Sequence, residues 1–400
     1  MTPRRLSRWL GWAFALTLVG YPLAGLFAVF LRVPSWGASY PFRFAVVAIS
    51  VWLLVHAAGV KPHGRLPPLV AVFWTLYVVR LLVDAVSGPP GALEALVFFV
   101  ITTLVPVLTL VRAAPHWDES NAARAVFVLG SAICIGGVLL GTGLIRTDRQ
   151  FDHSSQLFLD TVNPISFGHV AVSTLIAAGA LAYRTPRTIP GPLLAAGAAA
   201  ALGCLTVAGA RGPVVALAVC ALALALVQRR LGMLLMLAAA GTFVVSMGDV
   251  EVVARFQGLE SVEGDASALE RLVLQANAIE IFLANPVLGG AFAEFALNTY
   301  PHNVFIETAM ALGVVGLLLI GALTLLAIAR GYTLLRHRQV LLPLLFMQYF
   351  IGFQLSGALW GASAFWACLA LLLWSRRAPR RALDRASVGP LLLPAPATAR

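Results

Sequence analysis

Runs of about twenty apolar residues, separated by short polar clusters, recur along nearly the whole of this 400-residue chain. A helix of that length spans a hydrocarbon core of roughly 30 Å, whereas a membrane-spanning β-barrel would show shorter alternating segments, and none are visible. Composition agrees: 60% of residues are hydrophobic and 11% charged, against about 25% charged in a soluble domain. The chain therefore reads as an all-α polytopic integral membrane protein. Twelve spans are expected, at 9–31, 42–60, 67–86, 92–111, 124–144, 164–182, 190–208, 213–228, 231–247, 303–329, 340–358 and 361–374.

The net charge of +11 marks a membrane face and not a nucleic-acid groove. About 20 of the 28 basic residues fall in connections on one side, the positive-inside pattern. They include Lys61, Arg65, Arg112, Arg124, Arg184, Arg187, Arg229, Arg230, Arg330, Arg336 and Arg338, together with a basic N-terminus and tail. Both ends are expected in the cytoplasm, with the N-terminal apolar stretch a retained first helix. Cys134, Cys204, Cys220 and Cys368 lie inside apolar runs without metal-like spacing and read as small core residues.

Four regions follow: spans one to nine in 1–247, an outer loop at 248–301, spans ten to twelve in 302–375, and a disordered tail at 376–400. The loop is not a plain tether. Ser267 and Glu270 have capping-box spacing, and Leu269, Leu272, Val273, Ala276, Ile279 and Leu283 recur at helical intervals until Asn285-Pro286 ends the run. An amphipathic helix on the outer surface is expected, with Arg271 in its first turn.

The few outer arginines run against the charge bias. Arg211, in Gly209-Ala210-Arg211-Gly212-Pro213, would stand beside free N–H groups at a helix start, with Pro213 at the first helical position. It either receives phosphate there or snorkels to lipid headgroups. Arg271 either completes a diphosphate clamp or pairs locally, for example with Gln275. His302, in Pro301-His302-Asn303 before span ten, lies near a positive helix end that disfavours its protonation and leaves it available as a base, although a lone histidine also serves structure. Arg255, Arg43, His169 and Asn303 are further candidates for the same cavity. Arg80 and Asp84, four apart in span three, are expected to neutralise each other. No nucleotide-binding loop, zinc-protease helix or metal-ligand spacing occurs.

The segment Pro301-His302-Asn303-Val304-Phe305-Ile306-Glu307 through Leu312-Gly313-Val314-Val315-Gly316 resembles the histidine signature of the O-antigen ligase and polymerase family. Ala210-Arg211-Gly212 resembles its arginine-glycine segment. Glu270-Arg271 leading to Asn285-Pro286-Val287-Leu288-Gly289-Gly290 is similar to the stretch that precedes the histidine. The three occur in family order in the second half of the chain; residues 1–160 match in topology alone. The resemblance implies a bacterial inner-membrane glycosyltransferase needing no metal or cofactor, whose donor is an undecaprenyl-diphosphate-linked glycan. It makes His302 the general base and Arg211 and Arg271 the diphosphate-binding arginines. The single dominant outer loop resembles the ligases, whose acceptor is the lipid A-core oligosaccharide, more than the polymerases. A transporter or an inactive scaffold would share the helix count. A transporter would more often show an internal repeat and charged residues at mid-membrane, which are not found here.

Overall fold

In the computed structural model, residues 1–59, 64–145, 163–184, 189–229, 266–297 and 299–374 are described, and every regular element among them is helical. Helices α1 (Pro3–Val19) and α2 (Tyr21–Phe30) are followed by α3 (Ser35–Ala58), α4 (Pro68–Ser87) and α5 (Ala92–Phe98). One widened turn at Phe99–Leu104 joins α5 to α6 (Val105–Ala113). Then come α7 (Glu119–Gly141), α8 (Pro164–Arg184), α9 (Gly191–Ala208), α10 (Arg211–Val227), α11 (Ala266–Ala284), α12 (Val304–Arg336), α13 (Leu341–Leu355) and α14 (Ser363–Trp374).

Seven of these stretches are long and apolar enough to cross a membrane, and the bent pair α1–α2 makes an eighth. The shorter apolar helices α10, α13 and α14 coincide with three more of the expected twelve spans. The expected span 231–247, the first part of the 248–301 loop and the tail from residue 376 lie outside the described residues. The protein is thus a multi-pass α-helical membrane protein. Its four cysteines are buried and unbridged.

Two expected straight spans are broken. The first turns by 73° at Gly20, between α1 and α2, where Pro22 sits at the start of the second rod. A break frees backbone carbonyls that lipid cannot satisfy. Side chains from the far end of the sequence take two of them: Tyr349 Oη donates to Leu18 O at 3.1 Å and Ser363 Oγ to Thr17 O at 3.4 Å.

The second break is Gly313, within α12, at φ 62° and ψ −155°. It divides the element into a half-helix, 304–312, and a long span, 314–336. Residues 286–291 cross this point backbone against backbone. A methyl group on Gly313 would collide with the Val287 carbonyl, and one on Gly289 (φ 74°) with the backbone of Ala311 and Leu312. The crossing answers the groups that the break exposes. Val314 N donates to Pro286 O at 2.8 Å, Val315 N to Val287 O at 3.4 Å, and Gly290 N to Met310 O at 2.8 Å. The remaining carbonyls go to Arg80 on α4. Its Nε donates to Ala311 O (3.0 Å), Nη1 to Gly290 O (3.2 Å), and Nη2 to Leu288 O (3.2 Å) and Gly289 O (2.9 Å). Nη1 also pairs with Asp84 Oδ1 at 3.2 Å. The expected Arg80–Asp84 pair exists, but the guanidinium does far more than cancel a carboxylate.

The expected loop helix is present as α11. Leu274, Ala278 and Ile281 are the buried positions, the last two packed with Ala291 and Met310, whereas Leu269, Leu272, Val273, Ile279 and Leu283 are exposed. In a membrane protein an apolar stripe can face lipid as readily as protein, so hydropathy does not choose between them.

Candidate active site

His302 ends an extended segment, and Asn303 starts α12. The Asn303 side-chain oxygen accepts from Phe305 N at 3.0 Å and Ile306 N at 3.2 Å, a helix cap that commits it to structure. His302 itself adopts φ 56°, a left-handed conformation uncommon for a side chain of this size. Such local strain collects at functional sites. Its ring packs edge to face on Tyr300 at 4.6 Å, and its buried Nδ1 has no hydrogen-bond partner. Burial, and then the Arg271 guanidinium, hold its pKa below the ordinary imidazole value, against a smaller opposing effect of Glu270. Burial likewise raises the Tyr300 phenol, with the Glu307 carboxyl adding to it and Arg271 opposing.

Arg271 and His302 are therefore electrostatic neighbours. Gln275, the expected local partner of Arg271, instead donates from Nε2 to Pro301 O at 3.3 Å and ties α11 to the histidine segment. Asn277 and the backbone N–H groups of Ala296 and Leu297 all bond the Glu294 carboxylate, which organises the turn between α11 and Tyr300.

Beside Tyr300 opens a cavity of about 510 Å³. Its wall includes Tyr300, Trp360, Phe98, Arg43, His169 and Tyr349. Arg43 lies over the Phe98 ring at 4.3 Å and the Tyr21 ring at 5.4 Å, and its Nη2 reaches Tyr21 Oη at 3.5 Å. Its buried Nε has no partner. His169 stands in the opposite wall, its ring 5.7 Å from that of Tyr349. Beneath it Gln348 Nε2 bonds His169 O at 2.7 Å and Ser173 Oγ at 2.9 Å. Ile101 and Thr102 of the widened turn also line the cavity, in keeping with the use of such turns at functional sites.

Arg211 is the first residue of α10, two positions before the start expected from Pro213. Pro213 falls within the first turn, where its missing N–H would have no helical partner in any case. The turn packs against the ends of two cavity-forming helices: a methyl group on Gly168 would meet Pro213, and one on Gly212 would lie 3.5 Å from Leu355 Cδ1. The start of α10 thus packs on the helices that carry His169 and Phe353. Arg211, Arg271, His302 and Asn303 do not line the cavity themselves; Tyr300 links it to His302. Arg255 lies outside the described residues.

Glu307 was visible in the sequence motif but carried no expected role. It is fully buried one turn into α12, where Oε1 accepts from Leu359 N at 2.9 Å and Oε2 has no partner. It ties the half-helix to the 356–362 loop, whose Trp360 shares the cavity wall with Tyr300. Trp366 holds the same loop from the core, donating from Nε1 to Leu359 O at 3.1 Å.

Residues 196–321 match the family model described as O-antigen ligase. The match runs from within α9 past Arg211, Arg271 and His302 to the break at Gly313. No curated protein matches the chain.

Proposed function

We propose, from the match of residues 196–321 to the O-antigen ligase family model, that this chain transfers a glycan from undecaprenyl diphosphate to the lipid A-core oligosaccharide at the periplasmic face of a bacterial inner membrane. Both termini then lie in the cytoplasm. The observation that carries this reading is the half-buried, unpartnered His302 beside Arg271, joined through Tyr300 to an aromatic cavity with Arg43 in its wall. A base held neutral by a neighbouring cation suits a reaction in which a hydroxyl loses its proton while a diphosphate departs.

In the proposed reaction His302 takes the proton of the acceptor hydroxyl. The oxygen attacks the anomeric carbon, a new C–O bond forms, and the bond to the diphosphate breaks with inversion, its electron pair leaving on undecaprenyl diphosphate. Arg211, Arg271 and the N-terminal end of α10 offset the charge on the leaving group, where such stabilisation lowers the barrier. No metal or cofactor is required in this scheme. Arg43, half enclosed by aromatic rings, adds a cation on the far side of Tyr300 for the donor's anionic segment. The exposed apolar stripe of α11 is expected to contact lipid, holding Arg271 at the level of the headgroups.

Reconstitution of the purified chain with an undecaprenyl-diphosphate-linked glycan and lipid A-core, without divalent metal, tests the reading. Transfer to lipid A-core that His302→Ala and Arg211→Ala both abolish supports it. Lengthening of the lipid-linked glycan would make the protein a polymerase of the same family. Neither product, with a verified substrate pair, would overturn the assignment.

A further inference from the structure

Arg80 lies on α4, far in sequence from Arg271 and His302, yet it meets both structural parts that carry them. Its acceptors are the Ala311 carbonyl at the end of the half-helix 304–312 and the Leu288, Gly289 and Gly290 carbonyls just beyond α11. With Asp84 Oδ1 that makes five acceptors for the five N–H donors of a guanidinium, so the group is saturated. Asp84 extends the clamp, since its Oδ2 accepts from Phe292 N at 2.7 Å. Asp84 is buried, and so is Phe292.

The clamp joins two rods at their near ends. From Ala284 back to Arg271 the loop helix runs about 20 Å, and from Leu312 back to His302 the half-helix runs about 13 Å. The reacting groups stand at the far ends. A small change of angle at the joint therefore displaces Arg271 and His302 relative to each other much more than it moves the joint itself. Further ties between the rods are the Gln275–Pro301 bond, near their far ends, and the packing of Ala278 and Ile281 with Ala291, Met310 and Ile306, so the clamp fixes the joint end of a pair that is also held along its length.

We propose that Arg80 and Asp84 are positioning residues for glycan transfer, setting where Arg271 stands relative to His302 by clamping the crossing of residues 286–291 with 310–315. Neither side chain touches the reacting atoms. Each acts through backbone groups of the crossing: Arg80 through the Ala311 carbonyl at the break and the Leu288, Gly289 and Gly290 carbonyls, Asp84 through the Phe292 N–H. Lysine cannot replace Arg80 in this role, because a point ammonium has three donors where the planar fork directs five.

The inference rests on the reaction proposed above, and the wild-type chain in the same assay keeps the two apart. Arg80→Ala would strand the Asp84 carboxylate in a buried site and is expected to fold poorly. Arg80→Lys, which keeps the charge and the Asp84 partner, is the deciding variant. In the reconstituted transfer assay its kcat is expected to fall by about 100-fold, the cost of a misplacement of about 1 Å, with the donor KM within about threefold of wild type. Its pH profile supplies a readout that mere loss of stability would not move. Among the described residues the charged and titratable neighbours of His302 are Arg271 and Glu270 from α11 and Tyr300 from its own segment. If the clamp sets the distance to Arg271, the acidic limb of kcat in Arg80→Lys moves toward higher pH. A well-folded Arg80→Lys protein with wild-type kcat, or with reduced kcat and an unmoved limb, overturns the positioning role. Failure of Arg80→Lys to accumulate as a monodisperse protein would make Arg80 a stability residue and overturn it as well. Absence of transfer by wild type counts against the proposed function instead.

Discussion

The crossing of residues 286–291 with 310–315 and the cavity beside Tyr300 are built by opposite rules. At the crossing, the groups released by the break at Gly313 find partners, and the Arg80 guanidinium has an acceptor for each of its donors. Around the cavity and the histidine segment, buried polar atoms go unanswered: Arg43 Nε, His302 Nδ1 and Glu307 Oε2. An unmet buried polar atom costs about 1–3 kcal/mol, and native proteins keep few of them without a reason. The contrast is between a crossing held by a saturated guanidinium and a neighbouring segment in which three charged or ring side chains keep a buried polar atom without a protein partner.

The largest expected effect belongs to the second region. His302→Asn, which tolerates the left-handed backbone, should lower kcat for transfer by about 10²–10⁴ and leave the thermal melting temperature in detergent unchanged. Lost stability with retained transfer would reverse the assignment of the two regions. In the first region the balance should invert. Gly313→Ala places a side chain at φ 62° against the Val287 carbonyl, so folded yield and melting temperature should drop, with backbone strain alone costing about 1–3 kcal/mol. A Gly313→Ala protein that melts like wild type would show that the crossing yields more easily than its hydrogen bonds suggest.

Arg43→Met is a finer test. Removing a buried cation with an unmet donor should leave stability level or raise it, while transfer falls about tenfold through loss of one charge-assisted contact worth about 1.5–3 kcal/mol. Activity equal to wild type would remove Arg43 from the site.

The smallest effect is a shift of the pH profile. Because burial and Arg271 lower the His302 pKa below its ordinary 6.5, the acidic limb of wild-type kcat/KM, which reports the free enzyme, should lie below that value. Arg271→Gln removes a positive neighbour, favours the imidazolium, and should move the limb to higher pH even as the rate falls. The same sign governs stability: the unfolded chain binds the proton more readily than the folded one, so His302 contributes loss of stability as pH falls through and below 6.5. A limb that Arg271→Gln leaves in place would separate Arg271 from His302.

What could be read from the chain differed between these regions for a physical reason. Helix positions were legible, since each run of about twenty apolar residues has to satisfy its own backbone in lipid. Arg211 and Arg271 stand out in the sequence as exceptions to the charge bias, and His302 through the motif whose resemblance singles it out. The pairing of Arg80 with Asp84 followed from their spacing. The five-fold saturation of Arg80 did not, because its acceptors are backbone carbonyls more than 200 residues away and carry no side-chain signature. Which face of α11 packs on protein was not legible for a related reason: Leu272 and Ile279 are as apolar as Leu274 and Ile281, and hydropathy does not say which side meets lipid.

By itself the sequence determined that this chain is a multi-pass helical membrane protein and where most of its helices run. Those properties are local, set by the transfer of successive segments into hydrocarbon. Tertiary structure alone decided that α12 breaks at Gly313, that Arg80 closes the break, and that Tyr300 joins His302 to the cavity holding Arg43 and His169. Glycine is common in membrane helices and usually continues them. Here the close pass of residues 286–291 supplies the hydrogen bonds that make breaking the helix the lower-energy course.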